Sequence, residues 1–268
     1  MSREKQRFYY NQEFLSSADA RSIRILAEYY GPRQRFSRNR VEDTIVFFGS
    51  ARIKDPESAR EALEGAAPDL PPEERERLEH DLAMSRYYQE AHDLAYRLTE
   101  WSKGLKNSHH RYIITSGGGP GVMEAANRGA SDAKGLAVGL NITLPFEQSG
   151  NPWTTPDLDM QFHYFFMRKF WMAYLAKALI AFPGGFGTLD ELLEILTLLQ
   201  TGKIKKNIPI ILYGREYWSN VINWKYLVRV KTIKPEDLNL FSIVDSVDEA
   251  FDLITTRLTA TDFKGPNF

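Results

Sequence analysis

Residues 178–191 read Ala-Leu-Ile-Ala-Phe-Pro-Gly-Gly-Phe-Gly-Thr-Leu-Asp-Glu. The first five are apolar and end at a proline, which is typical of a short strand covered on both faces of a sheet. Beyond the glycines, leucines recur at helical spacing at positions 189, 192, 193, 196 and 199, so we expect a helix with a buried stripe. The sequence therefore predicts a strand, a glycine turn and a helix whose first turn carries Glu191.

The chemistry of this turn indicates an anion site. Gly184, Gly185 and Gly187 allow a tight turn and leave no Cβ to obstruct a bound group. The free N–H groups and the positive dipole end of the following helix favour negative charge. With Thr188 and the carboxylate of Glu191 in the same turn, the pattern predicts a site for phosphate and ribose.

Composition limits the classes of function. The 268 residues suffice for one large domain, or for a domain with an appendage. Lys and Arg number 34 against 35 Asp and Glu, so no overall field attracts nucleic acid or anionic lipid. The absence of Cys fits a reducing compartment. Residues 1–14 are too charged for a signal peptide, and the apolar stretch 170–182 is too short to span a bilayer and is interrupted by Lys177. We expect a cytoplasmic protein with neither a membrane nor a nucleic acid as partner.

Strands alternate with helices along the chain. Strands are predicted at residues 44–48, 112–115, 136–140, 178–182, 208–213 and 242–244. Helices are predicted at residues 17–30 (ended by Gly31-Pro32), about 73–101, 122–133, 165–177, the leucine-rich segment after 187, 217–230 and 247–258. This alternation indicates an α/β fold, a Rossmann-like doubly wound parallel sheet with helices on both faces.

The predicted domain covers residues 41–268, and residues 1–40 form an N-terminal helical appendage. Arg33, Arg35, Arg38 and Arg40 make a basic stretch, interpreted either as a solvated arm or as a contact with a subunit or a ligand phosphate. Residues 53–72 are predicted to be a surface insertion, and a loop rich in proline follows the third strand, with prolines at 145, 152 and 156.

Three glycine turns leave predicted strand ends, at Gly49-Ser50, residues 117–121 and residues 184–187. Ligands bind beyond the carboxyl ends of the strands in open sheets of this kind, so we expect the three turns to meet at one crevice. The spacing differs from G-x-G-x-x-G with a distant acidic residue and lacks the G-K-[ST] ending of a P-loop. A nucleoside monophosphate is therefore favoured over a dinucleotide or a triphosphate.

Over about residues 44–258 these motifs resemble the LOG ("lonely guy") family of cytokinin-activating phosphoribohydrolases, long described as possible lysine decarboxylases. The resemblance lies in Pro183-Gly184-Gly185-x-Gly187-Thr188-x-x-Glu191, in the glycine run 117–119 followed by Pro120-Gly121-Val122-Met123-Glu124-Ala125-Ala126-Asn127, and in the pair Arg168-Lys169. Where the family often has Met-x-x-Arg-Lys, this chain has Phe165-Phe166-Met167-Arg168-Lys169. The appendage and the 53–72 insertion are similar to the longer bacterial members.

The resemblance implies hydrolysis of the N-glycosidic bond of a nucleoside 5′-monophosphate, AMP or an N6-substituted AMP (a cytokinin nucleotide), to free base and ribose 5-phosphate. Glu191 and Arg168 match the family's catalytic residues. Thr188 and the N–H groups of residues 185–187 are expected to hold the phosphate. Further expected substrate contacts are Gly49, Ser50, Gly118, Gly119, Glu124 (ribose), Lys169 (phosphate) and Gly184. No metal or cofactor is expected, because the chain has five scattered His and no Cys.

Two alternative functions are weighed against this one. A non-catalytic protein that binds a nucleotide or cofactor could share the fold, but it has no evident need for both Glu191 and Arg168. A pyridoxal-phosphate decarboxylase needs a Schiff-base Lys placed against a partner for the pyridinium nitrogen, and no Lys in the sequence stands in such a pattern.

The aromatic side chains of residues 162–174 exceed what one helix face can bury within its own domain. We therefore predict a homodimer or higher homo-oligomer, with Arg168 at or across the subunit interface. His163, next to this aromatic cluster, is interpreted as structural.

Overall fold

The computed structural model describes residues 7–105, 110–145, 150–261 and 265–268. Its sheet has seven strands, all parallel, in the order β4-β3-β2-β1-β5-β6-β7. The strands are β1 Thr44–Phe48, β2 Ile113–Ser116, β3 Ala137–Ile142, β4 Asp159–Phe162, β5 Ala176–Ala181, β6 Ile210–Tyr213 and β7 Ser242–Val244. The predicted doubly wound α/β fold is confirmed.

Eleven α-helices occur within the described residues, beside three short 3₁₀ helices. The α-helices are α1 Gln12–Ser16, α2 Arg21–Arg38, α3 Pro56–Glu64, α4 Pro72–Met84, α5 Arg86–Gly104, α6 Val122–Asp132, α7 Phe165–Tyr174, α8 Phe186–Gln200, α9 Arg215–Val221, α10 Trp224–Arg229 and α11 Val247–Ala260. The 3₁₀ helices are Phe8–Tyr10, Pro156–Leu158 and Pro235–Leu240. None of these helices combines the length and the apolar composition that crossing a membrane requires.

The strand order reverses between β1 and β5. The chain runs outward from β1 to β4, returns to pair β5 with the other side of β1, and then runs outward again to β7. Right-handed crossovers in opposite directions place the helices on opposite faces of the sheet. The loops after β1 and β5 consequently diverge, which leaves a crevice at the carboxyl ends of these strands.

The two central strands are buried along their whole length, as expected of strands covered on both faces. Lys177 in β5 is fully buried, and its Nζ lies 3.1 Å from Asp43 Oδ1 and 2.9 Å from the carbonyl oxygen of Gly265. Burial lowers the pKa of the Lys177 ammonium group, against the attraction of Asp43. Arg111 Nε donates to the other oxygen of Asp43 at 2.5 Å. This cluster lies at the start of β1, at the opposite end of the sheet from the crevice.

The appendage helix is longer than predicted. Gly31-Pro32 was expected to end it, but α2 continues to Arg38 with Pro32 in its interior. A proline has no N–H, so the carbonyl four residues earlier loses its helical partner. That carbonyl belongs to Glu28 and accepts the indole N–H of Trp171 at 3.0 Å instead. The external hydrogen bond offsets part of the cost of the proline.

The basic stretch contacts the chain's own edge strand β4 and the 3₁₀ helix that precedes it. Arg38 Nε donates to Asp157 Oδ2 at 2.8 Å, and Arg35 donates to the carbonyl oxygen of Asp159 at 2.8 Å. No strand was predicted at residues 159–162, but they form the edge strand β4, in which Met160 and Phe162 are buried and the alternate residues are exposed. Four residues of alternating pattern give too short a signal to be recognised in a loop rich in proline.

The 53–72 insertion, for which no helix was predicted, contains α3, whose start is capped by the Asp55 side chain. Two predictions of helix extent were wrong. The single helix predicted over 73–101 is two helices, broken at Ser85, where Oγ donates to the carbonyl of Leu82 and competes with the helical hydrogen bonds. The helix predicted over 217–230 is also two, because the Asn223 side chain caps a new start at α10.

Two further features near the site differ from prediction. Helix α7 stops at Tyr174 rather than at residue 177, since Lys177 belongs to β5. In α8, Leu192 and Leu196 are buried as expected, whereas Leu193 is 46% exposed, so the apolar stripe is narrower than the leucine spacing indicates.

Candidate active site

A cleft of about 600 Å³ lies at the carboxyl ends of the central strands. All three glycine turns contribute to its walls, so they meet as predicted from the order of strands and helices. Of the predicted site residues, the cleft is lined by Gly49, Ser50, Gly119, Arg168, Gly184, Gly185, Gly187, Thr188 and Glu191.

The glycines of the three turns serve two different purposes. A Cβ on Gly184 would lie 2.1 Å from Thr188 Oγ1, and one on Gly49 would lie 2.6 Å from Val122 Cβ. At these positions glycine is required because the turns pack against one another. A Cβ on Gly185 or Gly187 would meet nothing within 4 Å. Those two residues border empty space inside the cleft, which is where a ligand is expected.

The start of α8 offers donors to that space. No described side chain caps this helix, and the N–H groups of Phe186, Gly187 and Thr188 donate to no acceptor in the described part of the chain. Such a helix start, with its positive dipole end, suits a phosphate. Tyr217 from α9 stabilises the turn by donating its hydroxyl hydrogen to the carbonyl oxygen of Gly184.

Arg168 and Glu191 form an ion pair in the cleft. Arg168 Nη2 donates to Glu191 Oε1 at 2.9 Å, and the two side chains are only 13% and 6% exposed. The guanidinium carbon lies 5.4 Å from the ring centroid of Phe165, within the range of a cation–π contact. Arg168 Nε is buried and has no partner among the described residues. Arg168 therefore lines the cleft with a guanidinium group that keeps one donor without a hydrogen bond to the described residues.

Burial raises the pKa of the Glu191 carboxyl, although the positive charges of Arg168 and Lys169 act in the opposite direction. Desolvation disfavours the ionised form, and a neighbouring cation favours it. A carboxyl group in a cleft with a perturbed pKa and a specific charged partner is typical of functional sites.

A buried polar network holds the second glycine turn. Ser116 Oγ donates to Asn127 Oδ1 at 2.6 Å and accepts the N–H of Gly118 at 3.0 Å. Asn151 Nδ2 also donates to Asn127 Oδ1, at 3.0 Å. Because all these polar groups are satisfied in the interior, the turn at 117–119 is fixed before any ligand binds.

Three predicted substrate contacts lie outside the lining of the cleft. Gly118 has φ +72°, and a Cβ there would lie 2.5 Å from Asn141 Oδ1, so its role is to allow the turn. Glu124 accepts the hydroxyl hydrogen of Tyr88 at 3.1 Å. Lys169 Nζ is held by two carboxylates on the outer face of α8, at 2.8 Å from Asp190 and 2.9 Å from Glu194. The side chains of Asp190 and Glu194 are 58% and 41% exposed, so these partners of Lys169 lie on the solvated face of α8.

Sequence reasoning did not select several residues that line the cleft. Arg52 follows the first glycine turn, Asn141 is the penultimate residue of β3, and Tyr217 comes from α9, which begins more than 25 residues after Gly187. Arg52 and Asn141 stand at strand ends, which is a usable signal. Nothing in the sequence around Tyr217 indicates its hydrogen bond to Gly184.

The aromatic segment is covered in large part by the chain itself. Trp171 is 3% exposed, and its ring centroid lies 5.5 Å from that of Phe36 and 5.8 Å from that of Tyr29, both in α2. The argument that this segment needs a second subunit was therefore wrong for Trp171. Phe165 and Phe166 remain 50% and 55% exposed.

His163, predicted to be structural, is exposed at the start of α7. Its backbone N–H donates to Glu28 Oε1 at 2.8 Å. Within the described residues no group of three or more His, Cys, Asp or Glu side chains is placed to hold a metal ion.

Comparison with known proteins gives matches of limited extent. Residues 123–254 match the family described as possible lysine decarboxylase. Over 101 residues the chain is 34% identical to the cytokinin riboside 5′-monophosphate phosphoribohydrolase LOG of Oryza sativa subsp. japonica. The aligned segment covers 37% of this chain and 40% of that protein. Over 150 residues it is 29% identical to the probable cytokinin riboside 5′-monophosphate phosphoribohydrolase LOG4 of the same rice, covering 55% of this chain and 62% of that protein.

Among solved structures, the Moco carrier protein from Chlamydomonas reinhardtii aligns with a TM-score of 0.44 at 16% identity, over 82% of this chain and 99% of that one. The matched segments span less than two thirds of the length of both rice relatives.

Proposed function

Because this chain belongs to the LOG family, we propose that it is a hydrolase of N-glycosyl bonds that cleaves a nucleoside 5′-monophosphate to free base and ribose 5-phosphate. The observation that carries the proposal is the buried Arg168–Glu191 ion pair, in the same cleft as an uncapped helix start. The helix start suits the phosphate and the ion pair suits the reacting sugar, so a nucleoside monophosphate needs both features within the length of one ligand.

The geometry of α8 sets the distance between them. Glu191 follows Thr188 by three residues, a rise of about 4.5 Å along the helix axis. A ligand that places its 5′-phosphate on the N–H groups of residues 186–188 therefore brings its ribose beside Glu191. The empty space at Gly185 and Gly187 allows the phosphate oxygens to approach the backbone closely.

Cleavage of the N-glycosidic bond develops positive charge on the ribose ring. The ionised carboxylate of Glu191 can stabilise an oxocarbenium-like ribose or take a proton from the attacking water. The water oxygen forms the new bond to C1, the bond from C1 to the base nitrogen breaks, and the base leaves with a proton. Arg168 orients Glu191 through Nη2, and its guanidinium group, which lines the cleft, offers donors to the substrate.

We assign the base to the apolar part of the cleft, and AMP or an N6-substituted AMP is the proposed substrate. Met123, Ile142, Leu144 and Met172 line the cleft together with the half-exposed ring of Phe165. Apolar and aromatic side chains of this kind suit the flat face of a purine and an alkyl group attached to it. The names of the rice relatives support this choice, since both act on cytokinin nucleotides by their descriptions.

Association into a homodimer, with Arg168 near the interface, and a cytoplasmic location are further parts of the proposal. Phe165 and Phe166 are the exposed aromatic side chains next to Arg168, and exposed aromatic surface is enriched at subunit interfaces. Sedimentation of the wild type against a Phe166→Ser variant tests the association.

The test of the function is incubation with a panel of nucleoside 5′-monophosphates and the matching nucleosides, with free base measured by chromatography. We expect base release from at least one monophosphate, little turnover of its nucleoside, and near-complete loss in Glu191→Gln and Arg168→Ala. Glu194→Gln is the matched control, because Glu194 lies one turn further along α8 and pairs with Lys169 outside the cleft. If the wild type binds the nucleotides and releases no base, the chain is a nucleotide-binding protein and the proposed function is wrong.

A further inference from the structure

Glu28 of helix α2 makes three hydrogen bonds to α7, the helix that carries Arg168, and to the two residues before it. Glu28 Oε1 accepts the N–H of His163 at 2.8 Å, and Glu28 Oε2 accepts the N–H of Tyr164 at 3.2 Å. The backbone carbonyl of the same residue accepts the indole N–H of Trp171 at 3.0 Å. These donors flank Arg168 in sequence on both sides.

The first two contacts place a carboxylate at the start of α7. The N-terminal N–H groups of a helix have no partner within the helix, and a negative charge there is favoured by the helix dipole. No side chain within α7 or at its N-cap, Tyr164, supplies such a cap. Glu28 from α2 therefore binds the N–H of the N-cap residue Tyr164 and of His163 before it, and places its negative charge at the positive end of the helix dipole.

The effect reaches Arg168 through one residue, Tyr164. The N–H of Tyr164 donates to Glu28, while the carbonyl oxygen of Tyr164 accepts the backbone N–H of Arg168 at 3.2 Å. Fixing Tyr164 thus fixes the first turn of α7, and this turn sets the direction of the Arg168 side chain toward Glu191. The third contact holds the next turn, since Trp171 lies three residues after Arg168.

Pro32 makes the third contact possible. Its missing N–H leaves the Glu28 carbonyl without a partner inside α2, and the proline is buried at this point of the helix. Aromatic packing of Tyr29 and Phe36 against Trp171 covers the same junction. Glu28 thus binds α7 and the residues before it through both its backbone carbonyl and its carboxylate, and the buried Pro32 leaves that carbonyl free to do so.

We propose that Glu28 is a positioning residue for Arg168, and that the N-terminal appendage holds the Arg168 helix in its active position. This inference rests on the proposed function for the role of Arg168, but the contacts from α2 to α7 are independent of it. The proposal gives the appendage a role in the reaction although no residue of α2 lines the cleft.

The test compares Glu28→Ala and Glu28→Gln with Arg38→Ala. Arg38→Ala is the matched control, because it removes a charged contact of the same helix, to Asp157, without touching α7. We expect Glu28→Ala to lower kcat about tenfold, as a small misplacement of a catalytic group does, with KM within twofold of wild type. Glu28→Gln keeps one acceptor oxygen and should lose about threefold, and Arg38→Ala should stay within twofold.

Hydrogen exchange provides the readout that needs no activity. The amides of residues 163–168 should exchange at least tenfold faster in Glu28→Ala than in wild type, and at the wild-type rate in Arg38→Ala. Equal kcat losses in Glu28→Ala and Arg38→Ala, or unchanged exchange at 163–168 in Glu28→Ala, would overturn the proposal. If the wild type releases no base at all, the proposed function fails, and the exchange rates alone decide whether Glu28 fixes the start of α7.

Discussion

Two glycines of the same turn should respond to alanine in opposite ways. A Cβ on Gly184 would lie 2.1 Å from Thr188 Oγ1, 2.7 Å from Thr188 Cβ and 3.1 Å from the carbonyl carbon of Gly49. Overpacking of this kind costs about 1–3 kcal/mol, and in a protein of this size each kcal/mol shifts Tm by about 2–4 °C. Gly184→Ala should therefore lower Tm by several degrees.

Gly187→Ala should leave the fold intact or slightly more stable. Gly187 lies in the first turn of α8, and its Cβ would meet nothing within 4 Å. Alanine is favoured over glycine in a helix by up to about 1 kcal/mol. The added methyl group would nevertheless stand in the space assigned to the phosphate. Because the phosphate contacts are the same in the ground state and the transition state, KM should rise about tenfold with little change in kcat.

The assay is thermal unfolding by circular dichroism together with initial rates of base release over a range of monophosphate concentrations. The expected result is a lowered Tm for Gly184→Ala and a raised KM with an unchanged or higher Tm for Gly187→Ala. A Gly187→Ala variant with wild-type KM would refute the placement of the phosphate, and a Gly184→Ala variant with wild-type Tm would refute the packing argument.

Two further predictions concern charge. Both roles proposed for Glu191 need the ionised carboxylate, so activity should fall as the pH drops through its raised pKa. Lys169→Met removes a cation that lowers this pKa, so the acid limb of the kcat/KM profile should move to higher pH while the plateau is kept. Loss of the plateau would indicate instead that Lys169 contacts the substrate directly. Asp43→Ala leaves Lys177 and Arg111 without their shared carboxylate, so it should lower the free energy of unfolding in urea by about 3–5 kcal/mol. Lys177→Met leaves the pair of Arg111 with Asp43 in place and should lower this free energy less. Equal losses in the two variants would contradict this reasoning.

The order of strands and helices could be predicted where the local pattern is strong. The bounds of β1 and β7 were predicted to the residue, and the three glycine turns do meet at one cleft, because parallel strands end at the same edge of a sheet. The predictions failed where tertiary contacts override local preference. Gly31-Pro32 is a strong stop signal, but α2 passes through it because Trp171 satisfies the carbonyl that the proline leaves free.

In the candidate site, too, residues in sequence motifs could be predicted, and residues placed by tertiary contacts could not. Arg168, Thr188 and Glu191 are marked by motifs, and all three line the cleft. Tyr217 could not be predicted, because its contact with the Gly184 carbonyl depends on how α9 crosses the sheet. Lys169 was predicted to bind phosphate from its place beside Arg168, yet adjacent residues of a helix point about 100° apart, and Lys169 faces the outer carboxylates.

The most direct test of the account is a crystal structure of the protein with ribose 5-phosphate. The account predicts the phosphate within about 2.7–3.2 Å of the N–H groups of residues 186–188, with C1 of the ribose facing the carboxylate of Glu191. A phosphate bound at another cleft, or a ribose whose C1 faces away from both Glu191 and Arg168, would contradict it.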